Sequence, residues 1–465
     1  MNIRWKKITA ILLSATLLCG TVSVSAEEIL GSAERATDTT VVRSGKSGDL
    51  DWTIDNEGLL TITGRGDYET HNAGWTDYGD EITSAEVKVS GITSCAGMFY
   101  SCDHLTNVDL SGLDTSQVTE MGLMFSGCSS LKAIDVSGLD TSHVTGMGQM
   151  FGGCSSLKTL DVSNFNTGNV VQMQHMFHGC SGLKKLDLSN FNTSQVMEMG
   201  EMFSGCTNLS ELKIQNFNTG NVTNMWSLFK ECSSLEALDL SNFNTGHVTN
   251  MGEMFSGCVN LHTLNVDGFD TENVTNMDHM FNGCSNLTEL RVNGFLTDKV
   301  KYINHMFSGC TKLTELDLSS FDLQNIRLSD GEAVFSLFDG CKSLSVIHTP
   351  INIKAEYAVS LPLEEDTMQK WKDTNNNVYE ILPVENGKSI VLKKVNEEEH
   401  PVTGDLDGDG NINIMDMMQS LNYVSKKGQL TDEQFAAADI NGDGKVNLTD
   451  LMLLLNYISK KSSTL

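Results

Sequence analysis

Residues 154–179 read CSSLKTLDVSNFNTGNVVQMQHMFHG, and their pattern returns every 26 residues, around Cys102, Cys128, Cys154, Cys180, Cys206, Cys232, Cys258, Cys284 and Cys310. In general form it is C-x-x-L-x-x-L-D-L-S-x-F-x-T-x-x-V-x-x-M-x-x-M-F-x-G. The segment L-x-x-L-D-L alternates apolar and polar side chains, which predicts a short parallel strand. The segment V-x-x-M-x-x-M-F spaces its apolar side chains three or four apart, which predicts a helical turn. A period of this length built on L-x-x-L-x-L marks a leucine-rich solenoid, in which stacked coils bury a continuous core that no single repeat could build.

The predicted fold class is therefore an α/β leucine-rich repeat solenoid with a parallel sheet, spanning residues 101–348. Eight coils are uniform; the ninth, from Cys310, carries five extra residues near 328–332 before Cys341. End coils would expose core, so β-rich caps are expected at 48–100 and 349–395. The first holds Val87, Val89 and Ile92, and the second Trp371, Tyr379 and the alternating SIVLKKV. From about Val87 to Ile347 the repeat resembles the BspA-like leucine-rich repeat family of bacterial surface proteins. That resemblance implies a secreted or cell-surface interaction module that is not an enzyme. It implies a protein or glycan as ligand, without saying which.

Two near-copies of another segment close the chain. Residues 405–427 read DLDGDGNINIMDMMQSLNYVSKK and residues 439–461 read DINGDGKVNLTDLMLLLNYISKK, identical at 13 of 23 positions. Oxygen-bearing side chains fall at loop positions 1, 3, 5, 9 and 12, with Gly at position 6. A hard cation such as Ca²⁺ takes many oxygens on a tight loop, and the glycine allows the sharp turn. The expected ligands of two Ca²⁺ ions are Asp405, Asp407, Asp409, the Asn411 carbonyl, Asn413 and Asp416, then Asp439, Asn441, Asp443, the Lys445 carbonyl, Asn447 and Asp450. Position 9 is expected to act through a water.

Asp405 follows NEEEHPVTG, which has no helical periodicity, and position 12 is Asp rather than Glu, so these are not ordinary EF-hands. A loop followed by one helix, duplicated at 404–465, resembles a type I dockerin. The resemblance implies a small all-α domain that folds with calcium and binds a cohesin module on a scaffoldin, as in cellulosomes. It also implies partner contacts at Ile414, Met415, Asn422 and Lys426 in the first copy and at Leu448, Thr449, Asn456 and Lys460 in the second. Leu421 and Leu455 are either further contacts or core between the two helices.

Residues 1–26 read as a secretory signal peptide: Arg4, Lys6 and Lys7, an apolar run from Ile8 to Val24, and a cut after Ala26. Export is thus expected, to an extracellular location or a surface reached through the scaffoldin, with no membrane-spanning segment. Residues 27–47 read as a polar disordered linker and 396–403 as a second linker. The whole chain carries a net charge of −29, which repels nucleic acid and excludes it as a partner.

The cysteine row admits three readings: buried thiols, disulfides from coil to coil, or a metal ladder. Buried thiols are expected, because a fixed position beside an inward strand suits a small apolar group. The row Asp109, Asp135, Asp161, Asp187, Asp239 and Asp317 is either a cation- or sugar-binding stripe or a set of hydrogen-bond acceptors for Ser and Thr of adjacent coils. His175, His279 and His305 share one repeat position, and the last two are expected to be neighbours. No catalytic motif is present. The expected function is a non-catalytic secreted binding protein; the alternatives are a glycoside-hydrolase-type cellulosomal subunit, which would need a paired-carboxylate cleft, and a cell-surface adhesin.

Overall fold

Each repeat closes because its apolar side chains all turn to one side of a flattened coil. In the coil of residues 154–179, Leu157, Val162, Phe165, Val170, Met173, Met176 and Phe177 are all buried, and so are Cys154 and Thr167. The computed structural model describes residues 39–70, 73–328, 336–354, 356–363, 369–384, 387–396 and 402–460, with the Lys460 side chain excepted. The signal peptide 1–26, most of the linker at 27–47, the insertion near 328–332 and most of the linker at 396–403 lie outside the described residues.

The strand face is as expected in part: several coils form the short parallel strand, while residues 133–135, 159–161 and 289–291 form none. Lys185–Asp187 pairs in parallel with Glu211–Lys213, Ala237–Asp239 with Thr263–Asn265, and Glu315–Asp317 with Val346–His348. The opposite face differs: V-x-x-M-x-x-M-F is not helical. Its amide groups alternate between two kinds of partner. Met173, His175, Phe177 and Gly179 donate to Glu198, Gly200, Met202 and Ser204 of the next coil at 2.7–3.0 Å, Gly179 closest at 2.7 Å. Met176, His178 and Cys180 instead close turns on Met173, His175 and Phe177 within the same coil. The apolar spacing suits a helical turn and this folded ribbon equally. The neighbouring coil decides, because it supplies acceptors that a helix would leave unused.

This ribbon needs one left-handed residue per coil. Leu123, Gln149, His175, Glu201, Ser227, Glu253, His279 and His305 all have φ between 54° and 60° except Ser227, at 52°. Such a conformation is unfavourable for residues with a Cβ, and the inter-coil bonds on either side hold it.

Three ladders bind the coils inside. The Phe99–Phe125–Phe151–Phe177–Phe203 rings stack at centroid distances of 5.4–6.0 Å, and the series continues to Phe338. Thr193 Oγ1 donates to the Asn218 carbonyl at 2.9 Å and accepts from the Asn218 amide at 2.7 Å, as Thr167 does with Asn192. The cysteines form the third: all eleven among the described residues are free and buried. Cys154 donates its thiol to the Phe125 carbonyl at 3.2 Å, and Cys206 to that of Phe177 at 3.1 Å. Burial pushes both thiols up to about 12, so they behave as small apolar groups rather than nucleophiles.

Both ends switch from parallel to antiparallel pairing. At the N-terminus, strands β1 (Val41–Ser47), β2 (Leu50–Asp55), β3 (Leu59–Arg65), β4 (Ser84–Ser90) and β5 (Asn107–Leu113) form one sheet in chain order, antiparallel up to β3 and parallel after it. Strand β1 occupies part of the segment expected to be a disordered linker at 27–47. It is ordered because the antiparallel edge of β2 offers a full ladder, and Arg43 adds an ion pair to Glu81 at 3.1 Å. At the C-terminal end, Val346–His348 pairs antiparallel with Val391–Asn396, which pairs with Gln369–Lys372 over the buried Trp371.

The dockerin-like region holds three helices: α1 (Ile414–Val424), α2 (Asp432–Ala438) and α3 (Leu448–Lys460). Helices α1 and α3 pack on each other, while Leu406, Ala437, Ala438 and Val446 form a small core with Tyr423 and Phe435 against it. No helix among the described residues is long and apolar enough to cross a membrane.

Candidate functional site

The two acidic loops are built alike. In the first, the Gly408 and Gly410 amides donate to the two carboxylate oxygens of Asp405 at 2.8 and 2.9 Å. In the second, the Asp443 and Gly444 amides do the same for Asp439 at 3.1 and 2.7 Å. Gly408, Gly410, Gly442 and Gly444 all have φ between 68° and 80°. Each loop therefore needs glycine at position 4 as well as at position 6, a requirement visible in both sequences but not read there.

The position-12 carboxylates anchor each loop to its helix. Asp416 is fully buried and accepts the amides of Leu406, Asp407 and Asn413 at 2.8, 3.2 and 2.8 Å. Asp450 is also fully buried, but accepts only those of Asn441 and Asn447, at 3.2 and 2.9 Å. Asn413 and Asn447 cap their helices, each Oδ1 accepting from the residue two on at 2.8 Å. The position-9 side chains are thus held by the cap, with a second lone pair left for a water. Asp409 Oδ1 accepts the Asn411 amide and Asp443 Oδ1 that of Lys445, which fixes the turn carrying the position-7 carbonyls.

The donor set fits Ca²⁺. One carboxylate oxygen each from Asp405, Asp407 and Asp409 lies within 4.8 Å of the others, the spread of donors around an ion with bonds of about 2.3–2.6 Å. Partial desolvation, then the carboxylates of Asp416, Asp409 and Asp405, raise Asp407 above the usual carboxylate range. Like charges held this close are stabilised when a divalent cation lies among them.

The structure separates the expected partner residues. Ile414, Met415, Leu448 and Thr449 are exposed at the starts of their helices, and Asn422 and Asn456 are exposed farther along. Leu421 and Leu455 are 42% and 49% exposed, so they are not core between the helices. Two residues missed by sequence reasoning join them: Met418 and Met452, at 49% and 64%. Ile414, Met418 and Leu421, and equally Leu448, Met452 and Leu455, recur at i, i+4 and i+7. Each helix therefore shows one apolar stripe to solvent. Lys426 is not on its helix. It has φ of 59°, and the Lys427 and Gly428 amides fold back onto the Asn422 carbonyl. In the second copy the helix continues to Lys460, so the copies differ at this end.

Helix α2 was also missed, although Thr431 and Gln434 carry the signature of a capping box. Gln434 Nε2 donates to the Leu406 carbonyl at 3.1 Å and to Gln419 Oε1 at 3.3 Å, tying α2 to the first loop and to α1. The second loop thus has helices on both sides; the first is preceded by a turn among the described residues.

On the solenoid, each Asp of the row accepts a backbone amide of its own coil, and not the Ser or Thr of adjacent coils. Asp161 takes Ser163 N–H at 3.0 Å and Asp239 takes Ser241 N–H at 3.0 Å, an Asx-turn in each case. These side-chain and backbone bonds from Ser163 hold Asp161 below the usual carboxylate range. Only some members reach the next coil, as Asp187 does to Lys213 at 2.8 Å. His279 and His305 are neighbours, with ring centroids 5.0 Å apart.

The family model described as "Mycoplasma protein of unknown function, DUF285" matches residues 79–185, 182–264 and 259–348, and the model of the dockerin type I domain matches 403–459. Among solved structures, a leucine-rich repeat protein from Eubacterium ventriosum is 18% identical, covering 72% of this chain and 100% of its own, with a TM-score of 0.32. A leucine-rich cell surface protein from Faecalibacterium prausnitzii is 17% identical over 66% of this chain and 94% of its own, with a TM-score of 0.30. No curated protein matches.

Proposed function

We propose a tethered binding protein, and the premise is that this chain belongs to the DUF285 family and ends in a type I dockerin domain. Both modules are non-catalytic. A dockerin implies a cohesin partner, and the repeat solenoid is of a kind used for binding or adhesion. In this reading the protein is exported, its dockerin docks it on a scaffoldin in a cellulosome-type assembly for polysaccharide degradation, and its solenoid holds a protein or glycan. Two Ca²⁺ ions, one in each loop, order the docking domain.

The observation that carries the reading is the pair of matching solvent-facing stripes, Ile414–Met418–Leu421 and Leu448–Met452–Leu455. Apolar side chains in such duplicate rows are what a partner surface would cover. Asn422 and Asn456 lie beside them as polar contacts, with Ile414, Met415, Leu448 and Thr449 at the helix starts. A half-turn rotation exchanges the stripes, so either could meet one cohesin.

Binding of the full chain to a panel of cohesin modules, with Ca²⁺ and with EDTA, tests this. Calcium-dependent capture by at least one cohesin is expected. Failure to bind any, or capture that persists in EDTA, would remove the docking role.

A further inference from the structure

The outer wall of the solenoid carries a constellation of metal-ligating side chains that neither the repeat nor the dockerin explains. We propose that His175, His178 and Glu201 form a binding site for a divalent transition metal ion, with Zn²⁺ the best match. The three sit on two adjacent coils. His178 Nδ1 lies 3.1 Å from Glu201 Oε2, His175 Nδ1 lies 3.6 Å from Glu201 Oε1, and one donor atom from each residue lies within 4.8 Å of the others. Around a tetrahedral Zn²⁺ with bonds of about 2.0–2.2 Å, neighbouring donors are separated by roughly 3.3–3.6 Å. Two imidazoles and one carboxylate are a zinc donor set that leaves a fourth position open, and both histidines are partly exposed on the solvent side.

An independent observation points the same way. His178 Nδ1 is itself buried and makes no hydrogen bond. Glu201 is near enough to pair with it, but off the direction that a ring N–H or lone pair requires. An orphaned imidazole nitrogen is costly, and a metal between the two groups would satisfy both at once.

The repeat supplies a comparison. At the position of His178 the other coils carry Ser126, Gly152, Ser204, Lys230, Ser256, Asn282 and Ser308. Where that residue is a cation, Lys230 pairs directly with Glu253 of the next coil, the counterpart of Glu201. The carboxylate at this place therefore takes positive charge from the preceding coil. In the His178 coil two imidazoles stand before that carboxylate in place of a lysine, and a metal ion held between them and Glu201 supplies the charge.

The scaffold is stiff. His175 and Glu201 share the left-handed conformation, with φ of 57° and 55°. The His175 amide bonds the Gly200 carbonyl at 2.9 Å, and Phe177 and Phe203 stack beneath at 6.0 Å. Donors fixed this way lose little freedom on binding. The calcium loops offer only oxygen, so nitrogen-seeking ions distinguish the two kinds of site.

The test uses the full chain with Ca²⁺ in excess to fill the dockerin loops. Zn²⁺ is titrated in competition with a chromogenic chelator, and Co²⁺ is added separately to read the intense visible absorption of four-coordinate cobalt. One equivalent of Zn²⁺ is expected, with affinity lowered at least about tenfold by His178→Ala and by Glu201→Gln and unchanged by His279→Ala. The cobalt band should vanish in the first two variants. Unfolding midpoints of the variants without metal confirm that each still folds. No binding above the chelator background overturns the proposal, and leaves an ion pair only. Binding that survives both substitutions also overturns it, by placing the metal elsewhere.

Discussion

Replacing Asp416 by Ala should damage the dockerin domain more than replacing Asp450, although the two occupy the same loop position. Both carboxylates are fully buried, so each deletion leaves backbone amides without an acceptor. Asp416 accepts three and Asp450 two. A hydrogen bond to a charged group contributes about 1.5–3 kcal/mol, and the orphaned Leu406 amide sits in the domain's small core. The expected excess loss for Asp416→Ala is thus about 1.5–3 kcal/mol.

Calcium sets the scale for that loss. At a free concentration of about one hundred times Kd, a bound ion adds about 2.7 kcal/mol, so two, one in each loop as proposed, would add roughly 5 kcal/mol. That matches the whole stability of a domain this small, at about 0.05–0.15 kcal/mol per residue. EDTA should therefore unfold the domain by itself. The α-helices of the described residues all lie between Ile414 and Lys460, so the helical circular dichroism signal of the full chain reports this domain. Urea titrations of that signal in saturating Ca²⁺ give the ordering: wild type, then Asp450→Ala, then Asp416→Ala. Equal losses for the two variants, or a helical signal indifferent to EDTA, would refute the reasoning.

Thr193→Val should cost about 1–3 kcal/mol, because the buried hydroxyl serves both the amide and the carbonyl of Asn218. Thr193→Ser should lose less, and hydrogen exchange at residues 193–218 would show whether the coils part there. Asp187 has its carboxyl lowered to about 2, first by the Lys213 bond and then by Ser189. Its folded pKa is below the unfolded value of 3.8, so its contribution is present above that pH and lost as pH falls toward about 2. The destabilisation by Asp187→Ala, read from melting temperatures, should accordingly shrink over that window. A thiol reagent should leave the eleven described cysteines unmodified in the native chain and reach them after denaturation; early reaction would contradict their burial. Finally, Met418→Asp or Met452→Asp alone should weaken cohesin binding little if either stripe can dock, while both together should abolish it.

The 26-residue period, the inward residues of each coil and the order of oxygen-bearing side chains in the two acidic loops were determined by the sequence itself. They are one-dimensional properties: a repeat spacing, an alternation, and oxygens at fixed loop positions. Strand pairing at the solenoid face followed from L-x-x-L-D-L for the same reason. Tertiary structure decided what depends on a neighbour. M-x-x-M-F became a folded ribbon with one left-handed residue per coil instead of a helical turn, because the next coil offers acceptors. Val41–Ser47 became a strand because β2 had a free edge. Leu421 and Leu455 proved solvent-facing because α1 and α3 meet through other faces, and Lys426 left its helix where the chain folds back on Asn422. His178 met Glu201 only through the stacking of coils. A local pattern states which side chains belong together within a turn, but the partner of a backbone amide or an imidazole 23 residues away is set by how the coils lie against one another.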